Sequence, residues 1–254
     1  MDACFLESPL GPQGKKSPAP RIVGGLVPHA GYIYSGPCAA HLYACLEPSI
    51  RCVILLGVNH GSRGAPAALS PWQCWHTPLG DIPIDQELNS LLRERVSFLT
   101  QDERPHIREH SIEVQLPFLQ RFLTEFTLLP ISFSHLSVDE CHDLGEILAE
   151  LCAPPERRTL ILASSDLNHY LSPAETEVLD RLALERVLAL DPEGLLDTVE
   201  KQNISMCGVM PATVLLFAIN ALGVKRARLL KHYHSGQVTH MSEVVGYASV
   251  CFEN

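Results

Sequence analysis

Ile22-Val23-Gly24-Gly25-Leu26-Val27-Pro28-His29-Ala30-Gly31-Tyr32 is an apolar run that breaks at a proline, a histidine and a glycine. The pattern returns in Cys52-Val53-Ile54-Leu55-Leu56-Gly57-Val58-Asn59-His60-Gly61. Short apolar runs bounded by turn formers read as strands buried on both faces. Between them, Gly36 to Leu46 is rich in Ala with Leu and Tyr at helical spacing, so the segment reads as strand, helix, strand. Phe126 to Ile131 and Thr159 to Ala163 repeat the buried-strand pattern, the second entering Ser164-Ser165-Asp166-Leu167-Asn168-His169-Tyr170. Doubly buried strands need helices on both faces. The expectation is therefore an α/β fold with a central, largely parallel or mixed sheet flanked by helices.

Amphipathic stretches at Ser111 to Phe122 and Ser137 to Leu151 fill the intervals. Pro173 to Leu190 is expected as a helix capped by Ser172, and Asp191-Pro192 starts a shorter one. Met210 to Leu222 reads as a nearly all-apolar helix, and Ala227 to Tyr233 and Val244 to Phe252 as closing strands. Gly61 to Asp85, proline-rich and holding both tryptophans, is irregular and is expected to wrap a cleft or form a small hairpin. Residues 1–20, with Pro, Gly, Ser and Lys, read as a flexible N-terminal arm, and 21–254 as a single domain.

With 46% hydrophobic and 19% charged residues the chain is globular, and no apolar run is long enough to span a bilayer. No membrane role is expected. The start lacks the basic and apolar regions of a signal peptide, which points to a cytoplasmic protein. A net charge of -10 without clustered Lys or Arg argues against nucleic acid. The nine cysteines form no C-x-x-C pair and lie mostly in apolar runs, as free thiols do in a reducing compartment.

In open α/β sheets ligands bind beyond the carboxyl ends of the strands. His29, His60, Asp166 and His169 each follow an apolar strand by a few residues. Any one of these histidines serves as readily to cap a loop carbonyl; three strand ends doing so together point to a site. Cys207 precedes an apolar helix, where amide donors and the helix dipole are expected to lower a thiol pKa, for use as a nucleophile or a soft metal ligand. Two imidazoles and a thiolate make a three-ligand site with positions left for water, oxygen or substrate.

Pro28-His29-Ala30-Gly31-Tyr32 with Ser35-Gly36, Gly57-Val58-Asn59-His60, Glu109-His110-Ser111-Ile112-Glu113, Ser164 to Tyr170, Met206-Cys207-Gly208 and Ser242 to Tyr247 resemble, in order, the motifs of the Memo family, whose prokaryotic branch includes the AmmeMemoRadiSam system protein B type. The resemblance runs from about residue 21 to the end, and the usual Ala-Gly-x-aromatic-Tyr opening is absent. It implies a fold similar to class III extradiol dioxygenases and a metal held by His29, His60 and Cys207, iron or copper being the ions it suggests. The third ligand is a thiolate where the dioxygenases use a carboxylate.

By the same resemblance His169 is the acid or base of a metal-dependent redox enzyme acting on a small substrate with oxygen. Asp166 is expected either to orient a ligand histidine through its second ring nitrogen or to cap the turn. Glu109 and His110 are expected to border substrate or to cap a helix, with Tyr32 an aromatic candidate for the cleft wall. Two other readings stand beside this one: a non-catalytic module binding a small-molecule or peptide ligand, as animal relatives are associated with phosphotyrosine peptides, and a hydrolase pairing Cys207 with His169. A radical S-adenosylmethionine protein is the partner the resemblance offers.

Overall fold

The structure, a computed structural model, describes residues 1–15 and 21–253. Among them the strands are β1 (Ile22–Val27), β2 (Cys52–Val58), β3 (Ala67–Leu69), β4 (Cys74–Thr77), β5 (Gly80–Pro83), β6 (Thr100–Gln101), β7 (Thr127–Phe133), β8 (Thr159–Ser164), β9 (His169–Leu171), β10 (Arg226–His234) and β11 (Val244–Glu253). The α-helices are α1 (Gly36–Tyr43), α2 (Gln86–Arg95), α3 (Leu116–Phe122), α4 (Val138–Cys152), α5 (Pro173–Leu188), α6 (Pro192–Lys201) and α7 (Val209–Ala221).

The main sheet runs β10-β11-β1-β8-β2-β7-β3-β6. Its centre, β1, β8, β2 and β7, is parallel, while β11 joins β1 and β3 joins β7 antiparallel, so the sheet is mixed as the sequence implied. Every residue of β2 is buried. Its side chains alternate between two cores. Cys52, Ile54 and Leu56 pack with α2, α4, α5, α6 and α7 on one face, and Val53 and Leu55 with α1 and α3 on the other. Helix α7, apolar all round, lies within the first core, as such a helix must. Ser137 with Glu140, and Ser172 with Glu175, form reciprocal capping boxes that start α4 and α5, and Pro173 takes the first turn of α5.

The Gly61 to Asp85 stretch divides in two: β3 joins the main sheet, and β4 with β5 forms a separate hairpin. Helix α2 was not anticipated, because its polar sequence buries only Leu88, Asn89 and Leu92; Asp85 caps it by accepting from the Leu88 N–H. The loose arm expected over residues 1–20 is corrected for its first part. Ala3–Glu7 forms a π-helical turn whose Cys4 and Phe5 are buried, Phe5 against Phe118 and Phe122. Residues 16–20 of that expected arm lie outside the described residues.

Parallel pairing of β1, β8 and β2 brings their carboxyl ends to one edge. His29, Asp166 and His60 each stand two residues beyond the last residue of their strand, and so converge there.

Candidate metal centre

His29 is buried, and its ring is fixed by a chain of polar side chains. Ser164, the last residue of β8, donates its hydroxyl proton to the Ser111 carbonyl (2.6 Å) and accepts from Gln115 Nε2 (2.9 Å). It has only acceptor capacity left for His29 Nδ1 at 3.0 Å, so the network assigns the ring proton to Nδ1 and leaves the Nε2 lone pair free. Gln115 is held in turn by the Tyr43 hydroxyl on its Oε1 (2.8 Å) and by its donation to the Pro28 carbonyl (2.9 Å). Burial, with His60 and His110 close by, holds the His29 pKa well below the usual histidine value. A neutral imidazole is the form that binds metal.

His60 is oriented the same way by Glu109. The carboxylate accepts from the His60 N–H (2.8 Å) and from Nδ1 (2.9 Å), and also from the His110 and Ser111 N–H groups (2.8 and 2.9 Å). Burial opposes ionisation of Glu109, but these donors outweigh it and hold its carboxyl at about 2. Glu109 thus carries His60, a role beyond the substrate contact or cap expected of it. His110 stacks on His60 with centroids 5.0 Å apart, and both rings stand edge-on to His29 at 5.4 and 5.2 Å. One nitrogen from each of His29, His60 and His110 lies within 4.8 Å of the others, a set able to hold an ion.

Cys207 approaches the same ring nitrogen of His29, its Sγ 3.3 Å from Nε2 and 3.7 Å from the Asp166 carbonyl oxygen, and it is not part of the three-imidazole group. The expected lowering of its pKa is corrected: burial first, and then Asp166, push the thiol up to about 12. The thiol has two acceptors within reach, His29 Nε2 and the Asp166 carbonyl oxygen. The adjacent Gly208 is required by close approach, because a Cβ there would lie 2.4 Å from the Ser165 Cβ and 2.6 Å from the Ser164 carbonyl oxygen.

Asp166 does not orient a histidine ring. Its Oδ1 accepts from the backbone N–H groups of His29 (2.8 Å) and Ala30 (3.3 Å), tying the loop after β1 to the loop after β8. His169 Nδ1 donates to the Ser205 carbonyl at 2.8 Å, which frees its Nε2. His169 is not among the hydrogen-bond partners of Cys207, so the Cys207–His169 pair that a hydrolase needs is not formed. Tyr32 is exposed, and its hydroxyl donates to the Val114 carbonyl (3.1 Å).

Beside the imidazoles a cleft of about 720 Å³ is lined by Trp72, Trp75, His106, Arg108, Glu109 and Glu113 among others. Glu109 belongs to both, so the cleft borders the carboxylate that holds His60. Ser164 and Gln115 are the functional side chains that sequence reasoning missed. Their one signal was a polar residue at the end of a buried strand and another inside an apolar amphipathic stretch.

The comparisons with known proteins bear on family and fold. The family model described as Memo-like protein matches residues 2–251, reaching back through the N-terminal turn rather than starting near residue 21. A MEMO1 family protein of Methanopyrus kandleri is 39% identical over 235 residues, covering 91% of this chain and 83% of its own. A second, from Pyrobaculum aerophilum, is 36% identical over 250 residues, with 96% and 88% covered. An uncharacterized protein of Escherichia coli K12 of known crystal structure shares the fold, with a TM-score of 0.58 at 13% identity over 91% of this chain and 99% of its own. With its matched motifs gathered at one sheet edge and these relatives aligned over most of their length, the chain belongs to the Memo-like family.

Proposed function

We propose that the protein is a metal-dependent redox enzyme acting on a small phenolic or aromatic substrate with oxygen, with iron or copper held by His29, His60 and Cys207. The observation that carries this reading is that His29 and His60 are each held by a partner on Nδ1, Ser164 and Glu109 respectively, which leaves Nε2 as the ligating nitrogen, with Cys207 Sγ 3.3 Å from that of His29. Outer partners of that kind are what ligating histidines require. Two imidazoles with a thiol suit either ion chemically, so the residues present fit the group. When bound, the metal supplies Lewis acidity and one-electron chemistry toward oxygen.

The remaining work falls to the chain's own groups. To serve as a ligand Cys207 would give up its thiol proton, which its raised pKa would make costly at low pH. His169, with Nε2 unoccupied, takes a proton from a substrate hydroxyl. The Trp72, Trp75 and His106 rings offer an apolar wall for an aromatic ligand, and His110 stacks on His60. Oxygen uptake by metal-loaded protein, screened over phenolic compounds beside His169→Gln, tests the reading. Uptake that depends on metal and falls in the variant supports it. Metal binding with saturable ligand and no uptake would move the protein to a ligand-binding role for the same cleft. No helix among the described residues is long and apolar enough to cross a membrane.

A further inference from the structure

The β4–β5 hairpin carries a second group of metal-capable donors. Cys74 and His76 stand two residues apart on β4 and therefore project from one face. The antiparallel register sets Asp81 directly opposite His76. Trp75, between them, turns the other way and packs against the second core, so the hairpin is anchored by one face and offers the other. The donor atoms of Cys74, His76 and Asp81 lie within 4.8 Å of one another.

Their order is specific. His76 Nδ1 lies 2.5 Å from Asp81 Oδ1, and Nε2 lies 3.6 Å from Cys74 Sγ. An ionised carboxylate only accepts, so Nδ1 carries the proton and the Nε2 lone pair faces the sulfur. A tetrahedral zinc ion, with bonds of about 2.3 Å to sulfur and about 2.05 Å to nitrogen, holds those two atoms about 3.5 Å apart. The hairpin presents them at that spacing. The carboxylate behind the imidazole is the outer partner that a ligating histidine uses. An ordinary surface His–Asp pair would account for the Asp81 contact but not for a thiol placed on the opposite ring nitrogen.

We propose that Cys74 and His76 bind a thiophilic divalent cation of the zinc class, with Asp81 orienting His76 and water completing the coordination. The His76 and Asp81 side chains are 74% and 65% exposed, which gives the ion an open path. Binding replaces the thiol proton of Cys74 with the cation and releases that proton to solvent. Cys74 and His76 also border the cleft that reaches Glu109, so the ion would set a positive charge at the rim where an anionic ligand enters. This inference does not rest on the redox reading of the first centre.

Metal-free wild-type protein is alkylated with iodoacetamide near neutral pH, with and without zinc chloride, and each cysteine is followed by peptide mass mapping. Zinc is expected to slow modification of Cys74 by about tenfold or more, and Asp81→Asn to need about ten- to a hundredfold more zinc for the same protection. Modification of Cys74 at an unchanged rate in zinc would overturn the proposal. So would full protection in His76→Ala. Because the readout is residue-specific, protection at Cys207 reports the other centre, and failure at either site leaves the other result standing.

Discussion

Replacing Glu109 with glutamine tests how the carboxylate organises the site. Glu109 receives four N–H donors, the His60 N–H, His60 Nδ1, and the His110 and Ser111 N–H groups, at 2.8 to 2.9 Å. Glutamine presents one oxygen in place of two, so at least one donor meets an amide NH2 and goes unpaired. A hydrogen bond to a charged group contributes about 1.5–3 kcal/mol, so Glu109→Gln should cost about 2 kcal/mol at neutral pH. For a chain of this size that lowers Tm by about 4–8 °C.

The pH dependence follows from the depressed carboxyl. Its pKa is about 2 folded against an ordinary 4.5, so its contribution is complete above the ordinary value and disappears as pH falls through the folded one. The stability gap between wild type and variant should therefore be full near pH 7 and shrink steadily below about pH 5. The His60 ring also loses its fixed orientation, and metal affinity should drop about 10- to 100-fold. Urea denaturation across that pH range, with a metal titration, measures both. A variant within about 0.5 kcal/mol of wild type at neutral pH, or a gap that does not narrow in acid, would refute the reasoning.

In metal-free protein the Cys207 thiol, at about 12 against an ordinary 9.0, should be alkylated about 30-fold or more slowly than in the unfolded chain, once the higher nucleophilicity of a more basic thiolate is allowed for; equal rates by peptide mapping would contradict this. Gly208→Ala should cost about 1–3 kcal/mol, because the new Cβ meets Ser165 and the Ser164 carbonyl, and an unchanged urea midpoint would show that the helix start yields more easily than the packing indicates. Asp180, fully buried, accepts from the Asn168 N–H and from His232 Nε2, each at 2.9 Å. Asp180→Ala should cost about 3 kcal/mol and speed hydrogen exchange at the Asn168 and His169 amides, and unchanged exchange there would separate α5 from the site loop.

Much of this was legible in the chain because strand burial and strand ends are local signals. Pro28-His29 and Asn59-His60 follow apolar runs too hydrophobic for any but central strands, and parallel neighbours carry their ends to one edge. What was illegible depends on distant pairing. Ser164 meets His29 across 135 positions and Gln115 across 49, and nothing near either residue announces the partner. Asp166 is expected from the sequence to orient a ligand histidine or cap its turn, whereas the fold lays the loop after β1 over it and takes its oxygen for backbone donors. The helix start at Cys207 argued for a lowered pKa, but burial beside Asp166 dominates over the dipole. Near the N-terminus, the composition of residues 1–20 hid Cys4 and Phe5, whose burial against α1 and α3 is a tertiary event.

The central claim is the donor set, and metal content tests it most directly. Wild type, His29→Ala, His60→Ala, Cys207→Ser and His110→Ala would be loaded anaerobically with iron or copper, desalted and assayed by elemental analysis. The account predicts near-stoichiometric metal in wild type and in His110→Ala, and its loss in the other three. A wild type that binds neither ion would contradict it, as would retention in Cys207→Ser with loss in His110→Ala, which would put the third imidazole where the thiolate is assigned.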